Sequence, residues 1–147
     1  MEINIIDHQN GEHEIFSKGM VADFLFQHLD QYGDKLEDIL SAINYAVSDE
    51  PGKGGFVVVG SEKEQIVGAV VVNETGMSGY IPENILVYIA VHNSMRGKGA
   101  GKKLMQAAIN RAIGDVALHV EPDNPAFHLY KKLGFENKYL EMRFKRK

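Results

Sequence analysis

The sequence contains no cysteine, no internal repeat and no low-complexity segment. Without cysteine there is no disulfide framework, no thiolate metal site and no cysteine nucleophile. No apolar run approaches the roughly 18 residues that a membrane-spanning helix needs, and the N-terminal segment carries acids where a secretory signal would carry lysine or arginine. We therefore expect a soluble, cytoplasmic protein without membrane contact, folded as a single domain over residues 1–147.

Basic charge is also scarce in the first third of the chain. Residues 1–50 hold eleven acids and two bases, whereas residues 51–147 hold nine acids and fourteen bases. The net charge of −4 argues against nucleic acid as a partner. The asymmetry indicates either that the two parts face different ligands or that their solvated surfaces simply differ in charge. The six histidines show no H-E-x-x-H or other metal-binding spacing, so no metal site is predicted.

The hydrophobic periodicity predicts a mixed α/β chain with a β-α-β unit in its second half. Two helices are expected between Gly19 and Val47, broken near residues 31–35, and a short helix is expected to begin at the N-cap Asn124 and to end at Gly134. A longer helix is expected to stop at Gly114, with Ala112 and Ile113 on its apolar stripe. The predicted strands are Ile3–Ile6, a hairpin of Gly55–Gly60 and Gln65–Glu74, then Ile85–Val91, Val116–Val120 and the tail Tyr139–Lys145.

A glycine-rich turn lies between the strand Ile85–Val91 and the helix that follows it. The segment Arg96–Gly101 reads RGKGAG. Glycines at such a turn let several backbone N–H groups converge at the positive end of the helix dipole, an arrangement that suits phosphate. The spacing fits neither the P-loop nor the dinucleotide fingerprint G-x-G-x-x-G. Glu121, about 20 residues further on, keeps a dinucleotide site as a distant alternative.

Two ordered motifs carry a resemblance to a known family. Arg96–Gly101 resembles the pyrophosphate loop, Q/R-x-x-G-x-G/A, of the GNAT superfamily of acyl-CoA-dependent N-acyltransferases. Ala117–Phe135, ALHVEPDNPAFHLYKKLGF, resembles the second family signature, an L-x-V strand, an asparagine-bearing loop and a helix ending in L-Y-x-x-x-G-F. The resemblance covers residues 55–144. It implies an α/β (α+β) GNAT-like fold, a mixed and twisted central sheet flanked by helices, with splayed fourth and fifth strands.

The resemblance implies acetyl-CoA as co-substrate, with its pantetheine arm between the splayed strands. The candidates for the outer phosphates are Lys98, Lys102, Lys131 and Lys132. Either Asp123 or Asn124 takes the place of the family's loop asparagine. The implied acetyl-CoA contacts are Ala90, Val91, Arg96, Gly97, Lys98, Gly99, Ala100, Gly101, Lys102, Asn124 and Tyr130.

The resemblance also implies direct transfer of the acetyl group to a primary amine. A backbone N–H near Ala90 or Val91 would bind the oxyanion, and Tyr130, at the family's tyrosine position, would protonate the departing thiolate. Many members carry a carboxylate in the middle of the fourth strand, but ILVYIAV has none. Glu83 is a candidate base, but it lies so early in the strand that it would act only through a water chain. His119 falls where some protein N-terminal acetyltransferases of the family carry a glutamate base. A histidine hydrogen-bonded within the sheet is the alternative for His119.

In the family, the first two helices and the loop between the third and fourth strands line the acceptor cleft. Acids in those segments favour a cationic amine, of a small molecule or a peptide. Dimers are common in the family, so a homodimer is among the expected partners. A non-catalytic acyl-CoA-binding sensor or interaction module on the same fold is the alternative to an enzyme. The implied acceptor-cleft residues are Phe24, Phe26, Tyr32, Met77, Tyr80, Asp30, Asp34, Glu37 and Asp38.

Overall fold

The described part of the chain, residues 1–10, 13 and 15–146 of a computed structural model, forms five strands and four α-helices. Within that part, no helix has both the length and the hydropathy needed to cross a membrane. The elements are β1 (Glu2–Ile6), α1 (Lys18–His28), α2 (Leu36–Ala46), β2 (Gly55–Glu62), β3 (Gln65–Glu74), β4 (Asn84–Val91), α3 (Ala100–Arg111), β5 (Val116–Leu118) and α4 (Ala126–Lys132).

The strands form one mixed sheet in the order β1-β2-β3-β4-β5. Neighbouring strands are antiparallel except β4 and β5, which are parallel and pair only between Asn84–Leu86 and Val116–Leu118. Beyond that short ladder the two strands diverge. Helices α1 and α2 pack on one face of the sheet and α3 and α4 on the other, each over its own apolar cluster. The predicted fold class, with splayed fourth and fifth strands, is confirmed.

The hairpin of β2 and β3 is tighter than predicted. Strand β2 continues into the expected loop as far as Glu62, while β3 begins at Gln65 as predicted, so that only Lys63 and Glu64 turn the chain, with φ angles of 49° and 64°. Two consecutive positive φ angles are typical of the two-residue turn whose twist matches that of the flanking strands. The hairpin itself is confirmed.

Strand β4 contains a bulge that changes which face its side chains reach. Val71 of β3 lies opposite Tyr88 and Val72 lies opposite Leu86, so Val87 is the extra residue. As a result Tyr88 contacts the cluster beneath α1 and α2, whereas Leu86 contacts the cluster beneath α3. The bulge is therefore what directs Tyr88 towards the segment between α1 and α2.

Leu104 of α3 fits into a space that two glycines leave in the sheet. Gly60 and Gly68 lie opposite each other on β2 and β3. A Cβ on Gly68 would overlap the Leu104 side chain, and one on Gly60 would lie 3.2 Å from Leu104 Cδ2. Glycine within a strand often marks such a close approach. The contact fixes the distance between α3 and the sheet, and with it the position of the glycine-rich turn before α3.

Helix α3 ends at Arg111, so the prediction that it continues to Ile113 was wrong. The cause is tertiary. The buried Asn84 side chain donates from Nδ2 to the carbonyl oxygens of Ile113 (2.8 Å) and Asp115 (3.2 Å), which holds this connection extended. Ile113 is consequently exposed rather than part of the apolar stripe. Strand β5 is also shorter than predicted, since it ends at Leu118 where β4 has diverged.

The predicted strand Tyr139–Lys145 does not form. Residues 139–146 have no regular secondary structure, and the side chains of Tyr139, Leu140, Met142 and Phe144 are 79–91% exposed. The apolar pattern alone is not enough, because a strand needs a partner and β5 offers a ladder of only three residues. The tail lies beside β5 without pairing, and a hollow of about 860 Å³ lies between them and α4.

Candidate active site

The divergence of β4 and β5 opens a cleft of about 990 Å³. One wall is the central part of β4 together with residues 31–34, between α1 and α2. The opposite wall is the segment 118–122, at and after the end of β5, with α4 and the tail behind it. The cleft brings together side chains that are far apart in sequence, among them Asp34, Tyr88, His119, Asn124 and Tyr130.

The glycine-rich turn leads from the end of β4 into α3. Gly97 and Gly99 have φ angles of 76° and 75°, a conformation that favours glycine, and a Cβ on either would meet open space. These two glycines therefore serve backbone geometry rather than packing. In the described residues, the N–H of Lys98 donates to the carbonyl of Met95 (3.3 Å), while no backbone acceptor is found for those of Gly97, Gly99, Ala100 and Gly101. Four free donors at a helix N-terminus can bind an anion such as phosphate.

The third glycine of the turn has a different role. Gly101 lies in the first turn of α3, and a Cβ there would be 3.3 Å from Leu129 Cδ2 and 3.9 Å from Val91 Cγ2. Glycine at this position lets α3 approach α4 closely. Arg96, Lys98 and Lys102 are exposed around the turn, and none of them is in an ion pair within the described residues. Their charge remains available to an anionic ligand.

The open edge of β4 presents the peptide group of Val91 rather than that of Ala90. Successive peptide groups of a strand point to opposite edges. His92 donates its N–H to Val67 of β3 at 2.8 Å, which places the groups of Ala90 on the same edge as those of His92. The N–H of Val91 therefore points to the side from which β5 has diverged. Of the two residues that the sequence offers for an oxyanion contact, Val91 has the suitable orientation.

Tyr130 of α4 lies at the boundary between the core and the cleft. Its ring is 6% exposed, packs in the cluster beneath α3 and lies 6.0 Å from the Phe135 ring. Burial raises the pKa of Tyr130 to about 12. The hydroxyl therefore stays protonated at neutral pH, which is the form that can donate a proton.

Two contacts fix the loop before α4. Asn124 Oδ1 accepts a hydrogen bond from the N–H of Ala126 at 3.0 Å, the contact expected of a capping residue, although α4 begins at Ala126 with Pro125 as its N-cap, one residue later than predicted. The Tyr32 hydroxyl donates to the carbonyl of Asp123 at 3.4 Å and links the two walls across the cleft. Of the two alternatives for the loop amide, Asn124 lines the cleft and Asp123 does not.

The two sequence candidates for a base lie in different places. His119 follows β5 directly, is exposed and lines the cleft. Glu83 precedes β4, at the end of the strand that is paired with β5, and lies against Gly114, where an added side chain would overlap its carboxylate. It is not among the residues that line the cleft. Of these two residues, only His119 lines the cleft that Tyr130 also lines.

Sequence reasoning missed a pair of side chains in the cleft. The Tyr88 hydroxyl donates to Asp34 Oδ2 at 2.6 Å, from the centre of β4 to the segment between α1 and α2. Burial and this hydrogen bond raise the pKa of Tyr88. The two residues are 54 positions apart, and no local spacing connects them.

The acceptor-cleft residues implied by the resemblance are only partly brought together. Tyr32 and Asp34 line the cleft. Phe24 is buried in the core beneath α1 and α2, and Phe26 and Tyr80 are exposed outside the cleft lining. The other four, Met77, Asp30, Glu37 and Asp38, do not line it either. Among the described residues, no group of three or more His, Cys, Asp or Glu side chains could hold a metal ion.

Comparison with known proteins gives a family match and many similar folds. The sequence matches the acetyltransferase (GNAT) domain over residues 53–137. No curated protein matches the sequence.

Three solved structures illustrate the likeness of fold. An aminoglycoside N-acetyltransferase, AAC(6')-Iy, in complex with CoA has a TM-score of 0.68 at 16% identity, over 99% of this chain and 93% of that chain. A transcriptional regulator from Bacillus halodurans has a TM-score of 0.67 at 17% identity, over 99% and 100%. A ribosomal-protein-alanine N-acetyltransferase from Brucella melitensis has a TM-score of 0.63 at 15% identity, over 99% and 100%. At these identities the likeness is one of fold.

Proposed function

Because the chain belongs to the GNAT acetyltransferase family, we propose that it transfers an acetyl group from acetyl-CoA directly to a primary amine of a cationic small molecule or peptide. The observation that carries the proposal is the position of Tyr130. Tyr130 lines the cleft between the diverging strands, and its raised pKa keeps the hydroxyl group protonated at neutral pH.

The donor side of the cleft has the features that acetyl-CoA requires. The free N–H groups of Gly97, Gly99, Ala100 and Gly101 bind the pyrophosphate, with Arg96, Lys98 and Lys102 around them. The pantetheine arm pairs with the open edge of β4, as an added strand does, and Asn124 borders its path. One of the solved structures with this fold contains CoA.

The reaction then needs three groups on the protein. The N–H of Val91 stabilises the oxyanion of the tetrahedral intermediate, because it points to the open edge of β4. Tyr130 donates a proton to the sulfur as the thiolate leaves. The amine must lose a proton, for which His119 is the cleft residue that the sequence offers. No covalent acetyl-enzyme through a cysteine forms, since the chain has none.

The acceptor side of the cleft favours a cationic amine. Asp34, Glu121 and Glu141 line it, together with Arg143. Arg143 forms an ion pair with Glu141, so Asp34 and Glu121 supply negative charge that no basic group of the described residues neutralises. Two of the solved structures with this fold are named as aminoglycoside acetyltransferases, whose substrates carry several amines.

A non-catalytic acyl-CoA sensor is the second candidate. It is favoured by one observation, the absence of a carboxylate within β4 itself. A sensor would bind acetyl-CoA on the same loop without turnover.

The test is an assay of free thiol release from acetyl-CoA with a panel of amines, for the wild type and for Tyr130→Phe. The variant keeps the ring packed and removes only the hydroxyl. We expect its affinity for acetyl-CoA to be retained and kcat to fall by about 100-fold or more, the usual range for a positioned acid. Tyr80→Phe, at a tyrosine that is 83% exposed and outside the cleft, is the matched control and should leave kcat unchanged. Binding of acetyl-CoA with no acetylation of any amine would leave the sensor in place of the enzyme.

A further inference from the structure

We propose that Asp34 is the catalytic residue that binds the acceptor amine and receives its proton, and that Tyr88 is a positioning residue that holds the Asp34 carboxylate in the cleft. The inference rests on the proposed acetyl transfer and names the residue that the sequence left open.

Asp34 lies on the segment between α1 and α2 and lines the cleft that also contains Tyr130 and His119. Its Oδ2 accepts a hydrogen bond of 2.6 Å from the Tyr88 hydroxyl, which leaves Oδ1 free to meet a ligand. A carboxylate with one oxygen fixed in this way is oriented before the substrate arrives.

The bulge at Val87 directs Tyr88, in the middle of β4, towards the segment between α1 and α2. Tyr88 is 8% exposed, so its hydroxyl has little access to water and depends on Asp34 for a partner. The hydrogen bond thus brings a carboxylate to the middle of β4, although the strand itself carries none.

The chemistry of the step is balanced by the groups in the cleft. The neutral amine nitrogen attacks the thioester carbonyl carbon, and the new C–N bond leaves a positive charge on nitrogen. That nitrogen is far more acidic than a free ammonium ion and gives its proton to Asp34. The C–S bond breaks, the sulfur leaves with the bonding electron pair, and it takes a proton from Tyr130. Exchange with solvent then restores both residues.

Other acids do not fill this role as well. Asp38 and Asp30 are near in sequence but do not line the cleft, although the charge of Asp38 acts on Tyr88. Glu121 lines the cleft but has no hydrogen-bond partner for its side chain in the described residues, so nothing orients it. His119 lines the cleft and is the direct competitor, and the experiment separates the two.

The experiment compares Asp34→Asn, Tyr88→Phe and His119→Ala with Asp30→Asn as the matched control, an acid of the same segment outside the cleft. The probes are spermidine, kanamycin and a lysine-containing peptide. Initial rates give kcat and KM across pH, and calorimetric titration gives acetyl-CoA affinity, as well as the affinity of each probe for the protein already saturated with CoA. Melting temperatures confirm that every variant is folded.

We expect Asp34→Asn to lower kcat/KM for the amine by about 100-fold, with unchanged acetyl-CoA affinity and at least about ten-fold weaker probe binding to the CoA complex. Tyr88→Phe should lower kcat/KM by about ten-fold and should also weaken probe binding to the CoA complex. Asp30→Asn should match the wild type in both measurements. A full rate with Asp34→Asn, or an acidic limb of the pH profile that disappears only in His119→Ala, overturns the assignment in favour of His119.

The failure of the proposed function is a separate outcome. If the wild type acetylates no probe, acetyl transfer fails, and Asp34 is then judged by binding alone. Probe binding to the CoA complex that weakens in Asp34→Asn but not in Asp30→Asn retains Asp34 as the amine-binding residue. Equal binding by both variants, or no probe binding at all, rejects it.

Discussion

The proposed donor and acceptor sides of the site are built in different ways. The donor side uses a nearly continuous segment next to the residues that line the cleft, from the end of β4 through the glycine-rich turn into α3, and it presents backbone N–H groups. The acceptor side uses side chains that come from distant parts of the chain. The Tyr88 to Asp34 hydrogen bond spans 54 positions and the Tyr32 to Asp123 hydrogen bond spans 91.

Because of this difference, residues on the two sides can be substituted with different freedom. Backbone donors require only glycines and a helix at a fixed place, so the proposed donor side depends on the fold itself. Side chains on the segment between α1 and α2 can be exchanged without altering the sheet. Under the proposed function, substitutions on the acceptor side would change which amine is used and leave the donor side as it is.

Tyr130 lies where the two sides meet, and its burial gives the largest expected effect. The pKa is raised from 10 in the unfolded chain to about 12 in the folded protein. The unfolded state therefore loses its proton first as the pH rises. The stability that the neutral phenol confers is fully present below pH 10 and is lost between pH 10 and about 12. The free energy of unfolding should fall over this range by roughly 2–3 kcal/mol, about a hundred-fold in the unfolding constant.

Urea unfolding at a series of alkaline pH values checks this expectation. Tyr130→Phe should show a shallower decline than the wild type, though not a flat one, because the pKa of Tyr88 is raised as well. Tyr80→Phe, at an exposed position, should decline as the wild type does. Identical curves for the wild type and Tyr130→Phe would mean that the Tyr130 ring is open to water.

The substitution Gly99→Val should impair the proposed donor side and leave the acceptor side intact. The φ angle of 75° disfavours a β-branched residue, and the side chain would obstruct the approach of pyrophosphate to the backbone. We expect acetyl-CoA affinity to fall by about ten-fold or more, roughly 1.4 kcal/mol, with unchanged affinity for the amine. Calorimetric titration measures both.

Gly52→Val is the matched control for that strain. Gly52 has a φ angle of 87°, an added Cβ there would also meet open space, and it lies outside the cleft. Both variants should lose similar stability, but only Gly99→Val should lose affinity. Unchanged affinity in a folded Gly99→Val protein would remove the phosphate assignment of the turn.

The smallest expected effect concerns the acidic segment, residues 1–50. If its charge steers a cationic amine, kcat/KM for the amine should fall roughly two- to five-fold as the salt concentration rises from about 50 mM to about 500 mM. At saturating amine the rate should not depend on the salt concentration, because capture of the amine then no longer limits it. An equal decline at saturating and limiting amine, or none, would count against steering.

The same contrast explains what could be predicted from the sequence. The turn Arg96–Gly101, the cap Asn124 and the hairpin were predicted correctly in outline, because each depends on residues close together in the chain. The helix end at Arg111 was missed because Asn84, far away in sequence, captures the carbonyls beyond it. The tail strand was wrong because its pattern gives no information about a partner.

The missed pair on the acceptor side has a similar cause. A bulge cannot be read from ILVYIAV, since it exists only as a mismatch between β4 and the opposite strand β3. Without the bulge the alternation along β4 puts Tyr88 on the other face, away from Asp34. The acids of the segment between α1 and α2 were expected at the acceptor cleft, yet the sequence could not single out one of them.

The close fit of Leu104 into the space above Gly60 and Gly68 should be visible as correlated substitutions in related sequences. A lineage that acquires a side chain at position 68 has to shrink the residue at position 104 in the same step or soon after, since the two cannot occupy one space. The two positions should therefore vary together among descendants of a common ancestor. Positions 97 and 99, where an added Cβ would contact no other residue, should each stay glycine independently of positions 68 and 104.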